Sequence, residues 1–151
     1  MNSPFSHAMG VALEQAQQAL DSHEIPVGAV LLDEDGAVIA AAHNLRETHG
    51  DPLAHAEVEV LRKAAQLRGD WKFDNCTLVV TLEPCPMCAG AAVSAHMGRI
   101  VFGAWDEKMG ALGSVWDIAR DPHGGFQPEV FAGVRAYECA QLLTEFFRTK
   151  R

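Results

Sequence analysis

A β-branched run from Thr77 to Thr81, a small-residue segment from Pro86 to about Ala95 and a second apolar run from Arg99 to Ala104 follow one another closely. The outer two read as strands, and the middle one, opened by proline, as a helix. A strand, helix, strand unit of this size is a crossover that sets its two strands parallel, so the chain is constrained to a layered α/β architecture.

The flanking segments extend that pattern. Ser6 is placed to cap a helix with apolar positions Met9, Leu13, Ala16 and Leu20, which Ile25-Pro26 stops. Val27–Leu32 and Ala37–Ala42 are apolar runs joined by Asp33-Glu34-Asp35-Gly36, which predicts a β-hairpin with strands buried on both faces and Gly36 at a positive φ. Asp51-Pro52 is expected to open a helix that runs to about Leu67 and closes at Gly69. The glycine-rich stretch from Trp105 to Gln127 reads as loop with a short helix around Trp116 to Ala119, the kind of segment that carries binding function. Glu129–Phe131 is a short strand, and Tyr137–Phe147 a final amphipathic helix.

With 151 residues, 48% of them hydrophobic, the chain is long enough for one core, and residues 1–151 are read as a single domain. The four cysteines, Cys76, Cys85, Cys88 and Cys139, do not form the dense framework of a small secreted protein. The first residues carry neither a basic nor an apolar targeting region, and no apolar run reaches the roughly 20 residues that span a bilayer. A cytoplasmic protein with no membrane partner is expected. The formal net charge of −8 argues against loose, charge-driven attraction to nucleic acid, although Arg148, Lys150 and Arg151 make a basic C-terminal patch. Read on its own, that patch is a solvated helix end complementing the macrodipole.

Chemistry concentrates in two motifs, His55-Ala56-Glu57 and Pro84-Cys85-Pro86-Met87-Cys88, each near a helix N-terminus. Two cysteines three apart in a first helical turn can converge on one ion, and the helix N-terminus favours the thiolate that a metal requires. With the His55 imidazole added, the three ligands suit zinc and leave a fourth position open to water, which marks a catalytic rather than a closed structural site. Glu57, two residues from His55, is better placed beside such a water than on the metal, and there it can move protons. Two other readings stand beside this one. A redox Cys-x-x-Cys pair leaves His55 and Glu57 without a role. A closed structural zinc site needs a fourth ligand from Cys76 or Cys139, each of which is more simply a buried small apolar residue.

These motifs resemble the zinc-dependent cytidine and deoxycytidylate deaminase superfamily, and within it the bacterial tRNA adenosine deaminases. The likeness runs through Pro26–Val30, Asn44, Asp51–Glu57, Thr81–Ala91, Val101–Ala104, Gly113-Ser114 and Phe146-Phe147-Arg148, and so covers almost the whole chain. It implies a three-layer α/β/α sandwich around a mixed five-stranded sheet, one Zn2+ per chain and a homodimer. The implied reaction is hydrolytic conversion of adenosine to inosine at the wobble position of a tRNA anticodon stem-loop, by a zinc-activated water with Glu57 as proton shuttle. The resemblance further implies that Asn44 hydrogen-bonds the flipped base, that Val27 packs it, and that Asp106 lies near the ribose. The Ala56 backbone N–H is a candidate donor to the base. Arg148 and Lys150 are candidate RNA contacts.

Three features depart from the pattern common in bacterial members: Trp105 stands where Arg is usual, Met109 where Thr is usual, and Gly125-Phe126-Gln127 where an Asn-His-Arg type of segment is frequent. All lie in the loop region expected to meet RNA. A free nucleobase or nucleoside deaminase, acting on guanine or cytosine with the same site, is therefore the alternative enzyme. A non-catalytic zinc-stabilised binding module is the alternative outside enzymes, and Glu57 speaks against it.

Overall fold

The computed structural model describes residues 3–150. Its elements in chain order are α1 (Ser6–Asp21), β1 (Gly28–Leu32), β2 (Val38–His43), α2 (Arg46–His49), α3 (Ala56–Arg68), β3 (Thr77–Leu82), α4 (Pro86–Ser94), β4 (Arg99–Ala104), β5 (Glu129–Phe131) and α5 (Ala136–Thr149). The five strands form one sheet in the order β2-β1-β3-β4-β5. β1 is antiparallel to both β2 and β3, whereas β3, β4 and β5 run parallel, so the sheet is mixed. The parallel half comes from the Thr77–Ala104 crossover, with α4 as its helix.

Alternation along the strands divides the core into two layers. Ala29 and Leu31 of β1 and Leu78 and Val80 of β3 pack with Ala56, Val60 and Ala64 of α3 and with Ala89 and Ala92 of α4. Val30, Val79 and Val101 point to the opposite side, onto Ala8, Met9 and Ala12 of α1 and Cys139 of α5. Successive strand residues face opposite ways, so one sheet buries an apolar surface on each side and needs helices on both. The architecture is the three-layer α/β/α sandwich.

Several local expectations change. Ser6 is the first helical residue of α1 rather than its cap; Phe5 precedes the helix without a side-chain cap, and its N–H donates to the Ser3 hydroxyl. β1 is buried throughout, but β2 is not, because it is the sheet edge: Val38 is exposed and only Ala40 and Ala42 are buried. Gly36 does take a positive φ, of 85°. α3 begins at Ala56 and not at Asp51-Pro52, where the Asp51 carboxylate instead accepts the Leu53 N–H in a turn. The predicted helix near Trp116 is a single 3-10 turn, Ile118–Arg120.

Candidate zinc-dependent active site

The late start of α3 decides the site. His55 becomes the N-cap residue of α3 with extended backbone (φ −69°, ψ 155°), and Cys85 has the same position and nearly the same conformation before α4 (φ −74°, ψ 173°). Two helices on one face of the sheet thus each present a side chain from the first residue outside the helix. Pro86 at the first position of α4 fixes the entry to that helix without removing a needed donor. Cys88, two residues into the same turn, is fully buried beneath them.

The ligand atoms of His55, Cys85 and Cys88 all lie within 4.8 Å of one another. His55 Nδ1 is 3.7 Å from Cys85 Sγ and 3.4 Å from Cys88 Sγ. A tetrahedral zinc, with bonds of about 2.0–2.1 Å to nitrogen and 2.3 Å to sulfur, separates such atoms by about 3.5 Å. The two distances bracket that value, so the donor set and its spacing both fit the ion. Cys76 and Cys139 stand outside the group and are buried in the two apolar layers, which leaves the set at three protein ligands among the described residues.

Electrostatics at the cluster ready one of the three ligands for an ion and leave the other two holding protons that it displaces on binding. A hydrogen bond from Cys88 holds the Cys85 thiol down to about 4 against the opposing effect of burial, and His55 adds to the lowering. The same hydrogen bond and its own burial push Cys88 upward, so the pair holds one proton that an ion must displace. His55 is raised, chiefly by its contact with Cys85. Glu57 is buried, and desolvation pushes its carboxyl up to about 7. A carboxyl there gains and loses a proton near neutrality.

His55, Glu57 and Cys85 open into a cavity of about 290 Å3 that is also lined by Ile25, Val27, Asn44, Arg46, Ala56, Leu82, Glu83, Asp106 and Met109. Every substrate-binding residue singled out in the sequence, Asn44, Val27, Ala56 and Asp106, is therefore on its wall. Asn44 Oδ1 accepts the Arg46 N–H at 3.0 Å, which leaves its Nδ2 as the group available to the cavity. Ala56 is the first helical residue of α3, where backbone N–H groups have no acceptor inside the helix. Asp106 also caps its own turn, since Oδ1 accepts the N–H groups of Lys108 and Met109. Arg148 and Lys150 lie elsewhere: Arg148 lines a shallow groove with Leu143, Thr144 and Phe147, and Lys150 Nζ sits 5.3 Å above the Phe146 ring. Arg151 of the basic patch lies outside the described residues.

Sequence reasoning missed two buried carboxylates that build the walls. Glu83 accepts the backbone N–H groups of Asp106, Leu112 and Ser114 and the Ser114 hydroxyl, and so holds the Asp106–Ser114 loop against the cavity. Glu24 accepts the N–H groups of Glu47 and Thr48 and the Thr48 hydroxyl, and so holds α2 on the other side. Both partners are more than 20 residues distant in sequence, so no short motif could have announced them. The departures divide as well. Met109 lines the cavity and Trp105 an adjoining groove, whereas Phe126 stacks on His96 at 4.7 Å, away from the cavity walls.

A layered mixed sheet with a His/Cys/Cys cluster at two helix starts and a buried glutamate beside it defines a zinc-dependent deaminase. Residues 3–104 match the cytidine and deoxycytidylate deaminase zinc-binding region, and the chain belongs to that family. Among its relatives, the tRNA-specific adenosine deaminase of Bacillus subtilis is 44% identical over 95% of this chain and 88% of that protein. A protein of Deinococcus radiodurans named tRNA(Ile)-lysidine synthase is 51% identical over 95% of this chain, which spans only 25% of that longer protein. The structure superposes with a TM-score of 0.88 on a solved structure from work on A-to-I editing by tRNA:A34 deaminases at the wobble position of transfer RNA, at 39% identity over 91% of this chain and 99% of the other.

Proposed function

We propose that this chain, as a single domain, deaminates adenosine to inosine hydrolytically at the wobble position of a tRNA anticodon stem-loop. The observation that carries the reading is the buried Glu57 carboxyl on the wall of the cavity that His55 and Cys85 of the three-ligand cluster also line. The full-length relative and the superposed structure both act on tRNA, which favours a nucleotide within RNA over a free base. His55, Cys85 and Cys88 hold the ion. When bound, zinc supplies the Lewis acidity that makes water a competent nucleophile at C6 near pH 7.

Glu57 takes a proton from that water and delivers it to the ring nitrogen N1, and later carries the second proton to the departing amine. The C6–N bond breaks, and adenosine and water become inosine and ammonia. Asn44 offers its Nδ2 to the base, Val27 packs on it, and the Ala56 N–H faces it from the start of α3. Asp106 stands at the rim where the ribose enters, and Arg148 and Lys150 contact RNA beyond the cavity. The protein works in the cytoplasm as a homodimer; no helix among the described residues is long and apolar enough to cross a membrane.

The test uses zinc-loaded protein with an RNA stem-loop carrying adenosine in the anticodon position, beside free adenosine, guanine and cytosine. Inosine and ammonia are expected from the stem-loop; efficient turnover of guanine or cytosine with the stem-loop ignored would overturn the substrate. Alanine at His55, Cys85 or Cys88 is expected to empty the site. Glu57→Ala is expected to retain about one zinc per chain while turnover falls by about 10^2- to 10^4-fold. A Glu57→Ala protein that lost its metal, or kept its rate, would remove the proton-shuttle role.

A further inference from the structure

A chain with net charge −8 that acts on RNA must place positive charge locally, and its cavity wall does so at one residue. Of the twelve residues lining the cavity, three carry carboxylates, Glu57, Glu83 and Asp106, and only Arg46 is a lysine or arginine. Its side chain is 44% exposed and makes no hydrogen bond among the described residues. Its ion-pair partner, the exposed Glu47, stands 3.7 Å away, beyond good hydrogen-bond geometry. The guanidinium therefore has free donors at the cavity mouth.

The backbone that delivers it is held with unusual care. α2 has only four residues, too few to persist alone, yet all three of its first N–H groups are satisfied from side chains outside it. Asn44 Oδ1 takes the N–H of Arg46, and the carboxylate of Glu24 takes those of Glu47 and Thr48 at 3.0 and 2.6 Å. Glu24 is fully buried, and a buried carboxylate is costly unless its hydrogen bonds are met. The backbone of α2 is thereby fixed with respect to Asn44, which faces the base.

Resting on the tRNA reading above, we infer that Arg46 binds a phosphodiester flanking the reacting nucleotide, and so helps to distinguish a residue within RNA from a free base. An arginine fork donates paired hydrogen bonds to phosphate oxygens, and a single cation carried on a fixed backbone among carboxylates also orients an anionic strand that the rest of the wall repels. A free base brings no phosphate to this position. Arg46 is a specificity-determining residue in this scheme, distinct from the cations of the C-terminal helix.

The experiment measures zinc-loaded wild type, Arg46→Ala and Arg46→Lys on the adenosine stem-loop across a series of salt concentrations, with zinc content and melting temperature recorded for each. Arg46→Ala is expected to raise KM by about 10-fold while kcat falls less than about threefold, the pattern of a lost charge-assisted contact made outside the reacting atoms. The slope of log kcat/KM against log salt is expected to lessen by about 0.7, the share of one phosphate on a single strand. Arg46→Lys is expected to restore the slope and only part of KM, because the charge returns without the fork. A merely structural residue would alter melting and leave the slope unchanged. Arg46→Ala with KM and slope at wild-type values overturns the inference while the substrate stands; a wild-type protein that ignores the stem-loop overturns the substrate and this inference together.

Discussion

Glu24 shows how much a single buried residue governs. Burial alone would raise its carboxyl, but the hydrogen bonds from Thr48 and Glu47 outweigh that and hold it below the ordinary value of 4.5. A carboxyl whose pKa is lower in the folded state adds stability above the unfolded pKa and loses it as pH falls through the folded one. Glu24→Gln turns one of the two accepting oxygens into a donor set against an N–H, so a loss of about 1–3 kcal/mol is expected at pH 7. The gap from wild type should narrow as pH falls below about 4.5, where the unfolded carboxyl also takes up a proton. Urea titrations at pH 7 and at pH 4 measure this, and a gap that does not narrow would mean that the carboxylate charge contributes nothing.

At the scale of elements, α1 lies tightly against the first residue of β1. A Cβ on Gly28 would run into the Ala12 carbonyl oxygen and the Ala16 amide nitrogen, both backbone atoms that cannot yield without moving the helix. The Gly28 N–H meanwhile donates to the Thr81 hydroxyl at 3.1 Å, which ties β1 to β3 beside the cavity. Gly28→Ala is therefore expected to cost about 2–4 kcal/mol, well beyond a surface alanine change, and to lower the denaturant midpoint with little change in slope. A midpoint within error of wild type would show that α1 can shift at no cost. Asn44 and Val27 flank this contact, so the same substitution should weaken activity before it unfolds the chain.

For the whole molecule, the proposed homodimer turns on α4. This helix buries Cys88, Ala89, Ala92 and Val93 inward, while Met87, Gly90 and Ala91 remain half-exposed on its other side. A small-residue face lets two helices approach closely, and the same patch on each copy suits a two-fold axis. The ligand-bearing turn Cys85–Cys88 would then lie next to the interface. Sedimentation at micromolar concentration is expected to give twice the mass of one chain, and Ala91→Glu is expected to shift it toward monomer; a wild type that sediments only as monomer would remove the dimer.

The succession of strands and longer helices along the chain and the ligand trio were legible in the sequence because they are local, whereas the four-residue α2 was not. Strand alternation, proline at the start of α4 and the close pairs His55-x-Glu57 and Cys85-x-x-Cys88 each express their physics within a few residues. Where α3 begins was not legible: Asp51-Pro52 carries a good start signal, yet the Asp51 carboxylate is used in a turn and His55 takes the cap position. The exposed edge of β2 could not be read either, since the run 38–42 is apolar throughout and only the arrangement of strands in the sheet places it at the rim. The sequence by itself determined the chemistry and the layered class, through spacing and periodicity that each element carries alone. Only the tertiary structure decided the walls of the cavity, because Glu24 and Glu83 act across 23 to 31 residues on backbone N–H groups, and any residue but proline can supply an N–H.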